Sequence, residues 1–130
     1  MNVLVISSRQ QIWQALVPDF QARSFTLCFS DSLDKALDLL RKNPPLVVIL
    51  DSESYNGSER TDAYIQKIRE DLTCILEIDA MIYTAVVSGL DPAELHDALE
   101  GYGVLLGIPS KPGPDDAARL AESLKKCNIA

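Results

Sequence analysis

Short apolar runs alternate along the chain with longer segments whose apolar positions recur every three or four residues. Val3-Leu4-Val5-Ile6 is a β-branched run that stops at Ser7-Ser8. Ile12, Leu16 and Phe20 then recur at every fourth position, which predicts a helix broken near Pro18. Phe25, Leu27 and Phe29 alternate with Thr26 and Cys28, the pattern of a half-exposed strand near a sheet edge. Asp31 or Ser32 can cap the next helix, whose stripe is Leu33, Ala36, Leu37 and Leu40 and whose end is Asn43-Pro44-Pro45. Leu46-Val47-Val48-Ile49-Leu50 has no alternation, as a strand covered on both faces requires.

The second half continues in the same manner. A polar loop from Asp51 to Arg60 contains Asn56-Gly57 and leads to a helix with the stripe Tyr64, Ile65, Ile68 and Leu72, continuing toward Ile75 and Leu76. Met81 to Val87 reads as a fourth strand. Asp91-Pro92-Ala93-Glu94 joins an N-cap, a proline at the first helical position and an acid at the third, and Leu95, Ala98 and Leu99 follow. Val104 to Ile108 is the fifth strand, closed by Pro109, which has no N–H for a ladder. Pro114-Asp115-Asp116 opens the last helix and Lys125-Lys126 closes it, matching the macrodipole at both ends.

Five successive βα units, without linker, repeat or low-complexity tract, predict an α/β fold: a parallel five-stranded sheet with helices on both faces. The expected architecture is a flavodoxin-like (βα)5 doubly wound sandwich with strand order 2-1-3-4-5. Its 130 residues fit one domain, residues 1–130.

Composition narrows the partners. Twelve basic against nineteen acidic residues leave a net charge of −7, which nucleic-acid backbones and anionic membranes repel. The densest basic pair, Lys125-Lys126, ends a helical pattern. No apolar run is long enough to span a bilayer, and the opening Met1-Asn2-Val3-Leu4 lacks the form of a signal peptide. Cys28, Cys74 and Cys127 are too few and too scattered for a disulfide framework or a zinc site, so a reduced, cytoplasmic chain is expected.

In an open α/β sheet, ligands bind beyond the carboxyl ends of the strands, where the strand order reverses. Ser7 and Ser8 follow the first strand, Asp51 the third, Ser88 the fourth and Lys111 the fifth. Taken singly, each has an ordinary role: Asp51 can turn the chain, Ser7 or Ser8 can cap a helix, and Ser88-Gly89 and Lys111-Pro112-Gly113 suit loops. Together they place an acid, hydroxyls and an ammonium group in one crevice.

In these features the chain resembles the receiver domain of two-component response regulators over essentially its full length. The resemblance rests on the opening strand Val3–Ile6, the strand Leu46–Leu50 ending in Asp51, Ser88-Gly89 and Lys111-Pro112. It implies that Asp51 is the phosphoacceptor and that Ser88 and Lys111 contact the phosphoryl group. A carboxylate can form an acyl phosphate, and such a transfer depends mainly on positioning and neutralising charge.

The chain also departs from that pattern. Receivers normally carry a pair of acids after strand one to hold Mg²⁺; the matching positions are Ser7 and Ser8. Neutral hydroxyls do not replace two charges, so Mg²⁺ is expected to bind weakly, and Glu53 is not expected to substitute. Ile108 stands where the family often has a switching aromatic, Pro109 stiffens the segment into Lys111, and Thr73–Asp79 lengthens the middle of the chain. Phosphorylation at Asp51 is therefore expected to be impaired.

The resulting expectation is a stand-alone, non-enzymatic receiver-like module in phosphorelay signalling, with a sensor kinase or downstream regulator as protein partner. The family's usual interaction face would here include Leu95, Tyr102 and Leu105. An alternative is a small flavodoxin-like protein binding a nucleotide or flavin; the missing Gly-rich loop after strand one weighs against it. His96, the one histidine, has no metal-spaced partner and reads as a helix-surface residue. Trp13 is expected to pack the first helix.

Overall fold

In the computed structural model, which describes residues 1–55 and 62–127, five parallel strands form one sheet in the order β2-β1-β3-β4-β5. The strands are β1 (Asn2–Ile6), β2 (Thr26–Ser30), β3 (Val47–Asp51), β4 (Tyr83–Val87) and β5 (Val104–Ile108). The helices are α1 (Gln10–Gln14), α2 (Val17–Gln21), α3 (Leu33–Lys42), α4 (Asp62–Ile78), α5 (Pro92–Ala98) and α6 (Pro114–Lys126). This is the flavodoxin-like doubly wound arrangement that the alternation of patterns predicts. The predicted Asn56-Gly57 turn and Arg60 lie outside the described residues.

Burial follows from side-chain alternation. Every residue of β3 is buried, because its two faces serve two cores. Val48 and Leu50 join Leu4, Ile6, Ile68 and Leu72 on the side of α3, α4 and α5. Val47 and Ile49 join Val3, Val5, Trp13 and Phe20 on the side of α1, α2 and α6. β2 forms one edge and is only partly covered, as its alternating sequence requires.

Local signals set most helix ends. Ser32 caps α3 by accepting from the Lys35 N–H at 3.3 Å. Asp91 caps α5 by accepting from the Ala93 N–H at 3.1 Å. At α6, the Asp116 carboxylate reaches back to the Gly113 N–H at 2.8 Å.

β3 runs from Val47 to Asp51, one residue later than the expected Leu46–Leu50, and two other boundaries differ more clearly from the expected pattern. The segment around Pro18 is two short helices, with Pro18 in the first turn of α2, where its missing N–H costs nothing. That break rotates the inward face, so Trp13, Leu16 and Phe20 are buried while Ile12 is 38% exposed. β4 begins at Tyr83 rather than Met81, which is 80% exposed in the preceding turn. Among the described residues, no helix is long and apolar enough to cross a membrane.

Candidate functional site

The same alternation that builds the two cores decides what meets at the carboxyl ends of the strands. Asp51 prolongs the Val47 and Ile49 face of β3, and Ser7, just past β1, prolongs Val3 and Val5 on that face. The two strands are in register, Ile6 beside Leu50, so Ser7 and Asp51 become neighbours. The Ser7 hydroxyl donates to Asp51 Oδ2 at 2.8 Å, and both residues are fully buried.

Ser7 also accepts from the Arg9 N–H at 2.9 Å, which folds the chain tightly at the start of α1. The turn aims the Arg9 side chain back over the sheet end. Its Nε donates to Asp51 Oδ2 and its Nη2 to Asp51 Oδ1, each at 2.9 Å. This is the fork-to-carboxylate geometry that only a guanidinium offers. The remaining terminal nitrogen, Nη1, donates to the Ser110 carbonyl at 3.1 Å, past the end of β5. Arg9 thereby ties together the ends of three strands, β1, β3 and β5.

Two further donors complete the shell. The Trp13 indole N–H points at Asp51 Oδ2 at 3.3 Å, and the Glu53 backbone N–H at Oδ1 at 3.1 Å. Oδ2 therefore accepts from Ser7, Arg9 and Trp13, and Oδ1 from Arg9 and Glu53. An ionised carboxyl offers about four acceptor positions. None is left over for a fresh partner.

Ser88 projects to the other side. β4 aligns Val87 with Asp51, and Val87 shares the Trp13 core, so Ser88 follows Val86 toward α4. There the Ser88 hydroxyl meets Tyr64 Oη at 2.7 Å, and Tyr64 Oη meets Ser52 Oγ at 2.6 Å. Proton counting gives this chain one direction. Ser52 donates to the Val87 carbonyl, so Tyr64 donates to Ser52 and Ser88 to Tyr64, while Ser88 accepts from the Leu90 N–H at 3.1 Å. Each hydroxyl hydrogen is committed inside the fold, and such chains reinforce one another.

Behind the chain, Tyr55 stacks edge-on against Tyr64 with ring centroids 6.2 Å apart, and donates its hydroxyl to Asp71 Oδ2 at 2.6 Å. Burial pushes the Tyr55 phenol well above its usual value of 10.0, and the hydrogen bond and negative charge of Asp71 add to the shift. Lys67 reaches the other oxygen of Asp71 at 3.2 Å.

Of the residues expected in the crevice, the structure brings Ser7 and Asp51 into contact. Ser88 bonds to Tyr64 instead, Ser8 is exposed, and Lys111 is exposed and makes no hydrogen bond or ion pair among the described residues. Arg9, Trp13 and Tyr64 complete the site, yet sequence patterning assigns them no such role. For Arg9 the available signal is its position: a cation two residues beyond Ser7, at the mouth of the crevice.

A Mg²⁺ ion, which the receiver resemblance implies, does not fit this donor set. Magnesium needs a near-octahedral shell of oxygens, usually with more than one carboxylate or phosphate. Here one carboxylate faces a hydroxyl, an indole N–H and a cation 2.9 Å away. Among the described residues, no group of three or more His, Cys, Asp or Glu side chains could hold a metal.

No protein-family model and no curated protein matches the chain. Solved structures do. A two-component response regulator from Clostridium difficile superposes with a TM-score of 0.75 over 99% of each chain, at 10% identity. A response regulator from Thermotoga maritima gives 0.70 over 96% of this chain and 94% of its own, at 19% identity. A CheY-like response regulator receiver domain protein from Methanospirillum hungatei JF-1 gives 0.69 over 96% and 97%, at 12% identity.

This is the receiver fold. At such identities the likeness carries the architecture and not the residues. Within the receiver fold of this chain, the acid ending β3 is held by an arginine fork, and the serine after β4 is held by a tyrosine of α4.

Proposed function

We propose that this chain is a receiver-fold signalling module that acts through protein contacts and is not switched by phosphorylation at Asp51. The carrying observation is the Arg9 fork. Acyl-phosphate formation needs a free lone pair on a carboxylate oxygen, in line with the phosphorus and its leaving group. Both Asp51 oxygens are engaged and the side chain is 0% exposed. A phosphodonor would first have to displace a bidentate ion pair, and without a metal nothing offsets that cost.

The fork also has a mechanical effect. It connects β1, β3 and the loop after β5 through one central charge. The fold is thereby held in one state, with Ser88 locked by Tyr64 on the other side of the sheet. Output then comes from a permanently formed surface read by a sensor kinase or a downstream regulator.

The test is intact mass after incubation with acetyl phosphate and Mg²⁺, for wild type and Asp51→Ala. The expected result is no mass gain in either. A gain of one phosphoryl group in wild type, absent from Asp51→Ala, would overturn the proposal.

A further inference from the structure

The two edges of the sheet are built differently. At β5, Thr84 aligns with Val104 and Ala85 with Leu106, so Leu105 is an extra residue that bulges the strand. Arg119 Nη2 also caps the Gly107 carbonyl at 3.0 Å. A bulge and a capped carbonyl discourage a further strand from pairing. β2, at the other edge, reads Thr26-Leu27-Cys28-Phe29-Ser30. It has no proline and no charge, and it follows β1 residue by residue without a bulge.

The ladder with β1 fixes which backbone groups of β2 are left over. The Thr26 N–H donates to the Met1 carbonyl, and the Ser30 carbonyl accepts from the Ser7 N–H. The N–H and C=O of one residue leave a strand on the same side, and that side alternates along the chain. Thr26, Cys28 and Ser30 therefore bond inward to β1. Leu27 and Phe29 each turn an N–H and a C=O outward, past the edge of the sheet.

These outward groups are self-complementary about Cys28. A second β2, antiparallel and related by a twofold axis at Cys28, sets Leu27 opposite Phe29 of the other copy and Phe29 opposite its Leu27. Each of these pairs exchanges both backbone bonds, so every outward group finds a partner. Sliding the register toward the amino end would call on Phe25 instead, whose N–H is already given to the Phe20 carbonyl at 2.9 Å.

The side chains agree with that register. Leu27 and Phe29 lie on the Trp13 and Phe20 core and are only partly covered, so across the axis apolar meets apolar. On the other face Thr26 meets Ser30. The Ser30 hydroxyl donates to the Ser32 carbonyl at 2.9 Å, which leaves its oxygen able to accept from the Thr26 hydroxyl. Cys28, which is exposed, meets its own copy. Arg23 precedes the strand and Asp31 follows it, both exposed, so antiparallel pairing turns the cation of one copy toward the acid of the other. Lys35 shares Asp31 at 3.2 Å, and this contact therefore adds direction more than strength.

We infer that β2 is the pairing edge for a second copy of this chain, joining two five-stranded sheets into one continuous sheet. The interface is small, so the dimer is weak and reversible.

Sedimentation equilibrium in reducing buffer should show a concentration-dependent mixture of monomer and dimer. Cys28→Lys sets two like charges face to face on the axis and should weaken the dimer about tenfold or more. Cys28→Ser should leave it intact, because no disulfide is needed. Met81→Lys, a change at a residue 80% exposed in the turn before β4, should leave it intact as well. Emission from buried Trp13 checks that each variant is folded.

The register is read separately by cross-linking. Opposed residues that exchange no backbone bonds bring their Cα atoms to about 4.5 Å, within disulfide range. Oxidised glutathione should therefore bridge Cys28 to Cys28. One thiolate displaces a glutathione to form a mixed disulfide, and the second displaces the other, so two protein thiols are oxidised and one glutathione disulfide is reduced. Mass spectrometry of the linked peptides identifies the bridge. A wild type that stays monomeric up to about 1 mM, a dimer that Cys28→Lys does not weaken, or a bridge at Cys127 in preference to Cys28 would each overturn the inference. Asp51 lies two strands inside this edge, so its phosphorylation would sink the reading of the crevice and leave these outcomes unaffected.

Discussion

Arg9 and Asp51 meet through two parallel hydrogen bonds of 2.9 Å, although 42 positions separate them in the chain. The carboxylate is completely buried, whereas the guanidinium side chain retains 31% of its exposure. That asymmetry shapes what each substitution should do. Removing the arginine strands a charge inside the protein; removing the acid leaves a cation that can reach water.

Arg9→Ala is therefore expected to destabilise the fold by about 3 kcal/mol, the low end for breaking a buried pair, because the opened crevice admits some water. Asp51→Asn should cost less, about 1–2 kcal/mol, since the introduced amide keeps an acceptor oxygen while the charge-assisted bonds weaken. The double variant should fall short of the sum by at least about 1 kcal/mol, as expected for residues in one network. Urea unfolding of the four proteins checks this, and strict additivity would show that the pair is not coupled.

Trp13 reports on the same crevice. It is the one tryptophan, it is 0% exposed, and its indole N–H faces Asp51. Native emission should be blue-shifted and poorly quenched by acrylamide. Arg9→Ala should raise the quenching constant under conditions where the protein is still folded. An unchanged constant would mean that Arg9 does not seal the site.

The hydroxyl chain predicts an order of severity. Tyr64→Phe removes its middle and leaves the buried Ser52 and Ser88 hydroxyls without that partner, at an expected cost of about 2 kcal/mol. Ser88→Ala removes only an end and should cost about 1 kcal/mol, while speeding hydrogen exchange at the Leu90 amide that Ser88 accepts from. Equal costs for the two variants would argue against a connected chain.

Tyr55 predicts a loss of stability in alkali. Its phenol is raised in the folded protein by burial and by Asp71, so the native state holds a proton that the unfolded state releases near the usual value of 10.0. Its contribution is complete below about pH 10 and declines above it, by up to about 1.4 kcal/mol per pH unit for one proton. Stability measured from pH 9 to 11 should fall less steeply for Tyr55→Phe than for wild type. Parallel profiles would place the alkaline loss on other groups.

The linear pattern was enough to define the elements, because an apolar residue every second or every third to fourth position reports directly on burial. It places Asp51 at the end of a strand covered on both faces, and Ser7 and Ser8 just past the first strand. Parallel βα order then brings these residues to one end of the sheet. The helix cap at Asp91 was equally legible, and the one at Asp31 or Ser32 was legible to within a residue, the structure choosing Ser32, since capping acts over a few residues.

What only the tertiary structure decided is which groups touch. Ser88 and Asp51 both follow strands, but the register of β3 with β4 sends them to opposite faces of the sheet. Arg9 has several directions open to a long side chain, and its choice depends on the turn made with Ser7 and on the Ser110 carbonyl more than a hundred positions away. Periodicity encodes the side of an element that faces inward; a hydrogen bond between distant residues depends on register, rotamer and the packing of everything between them.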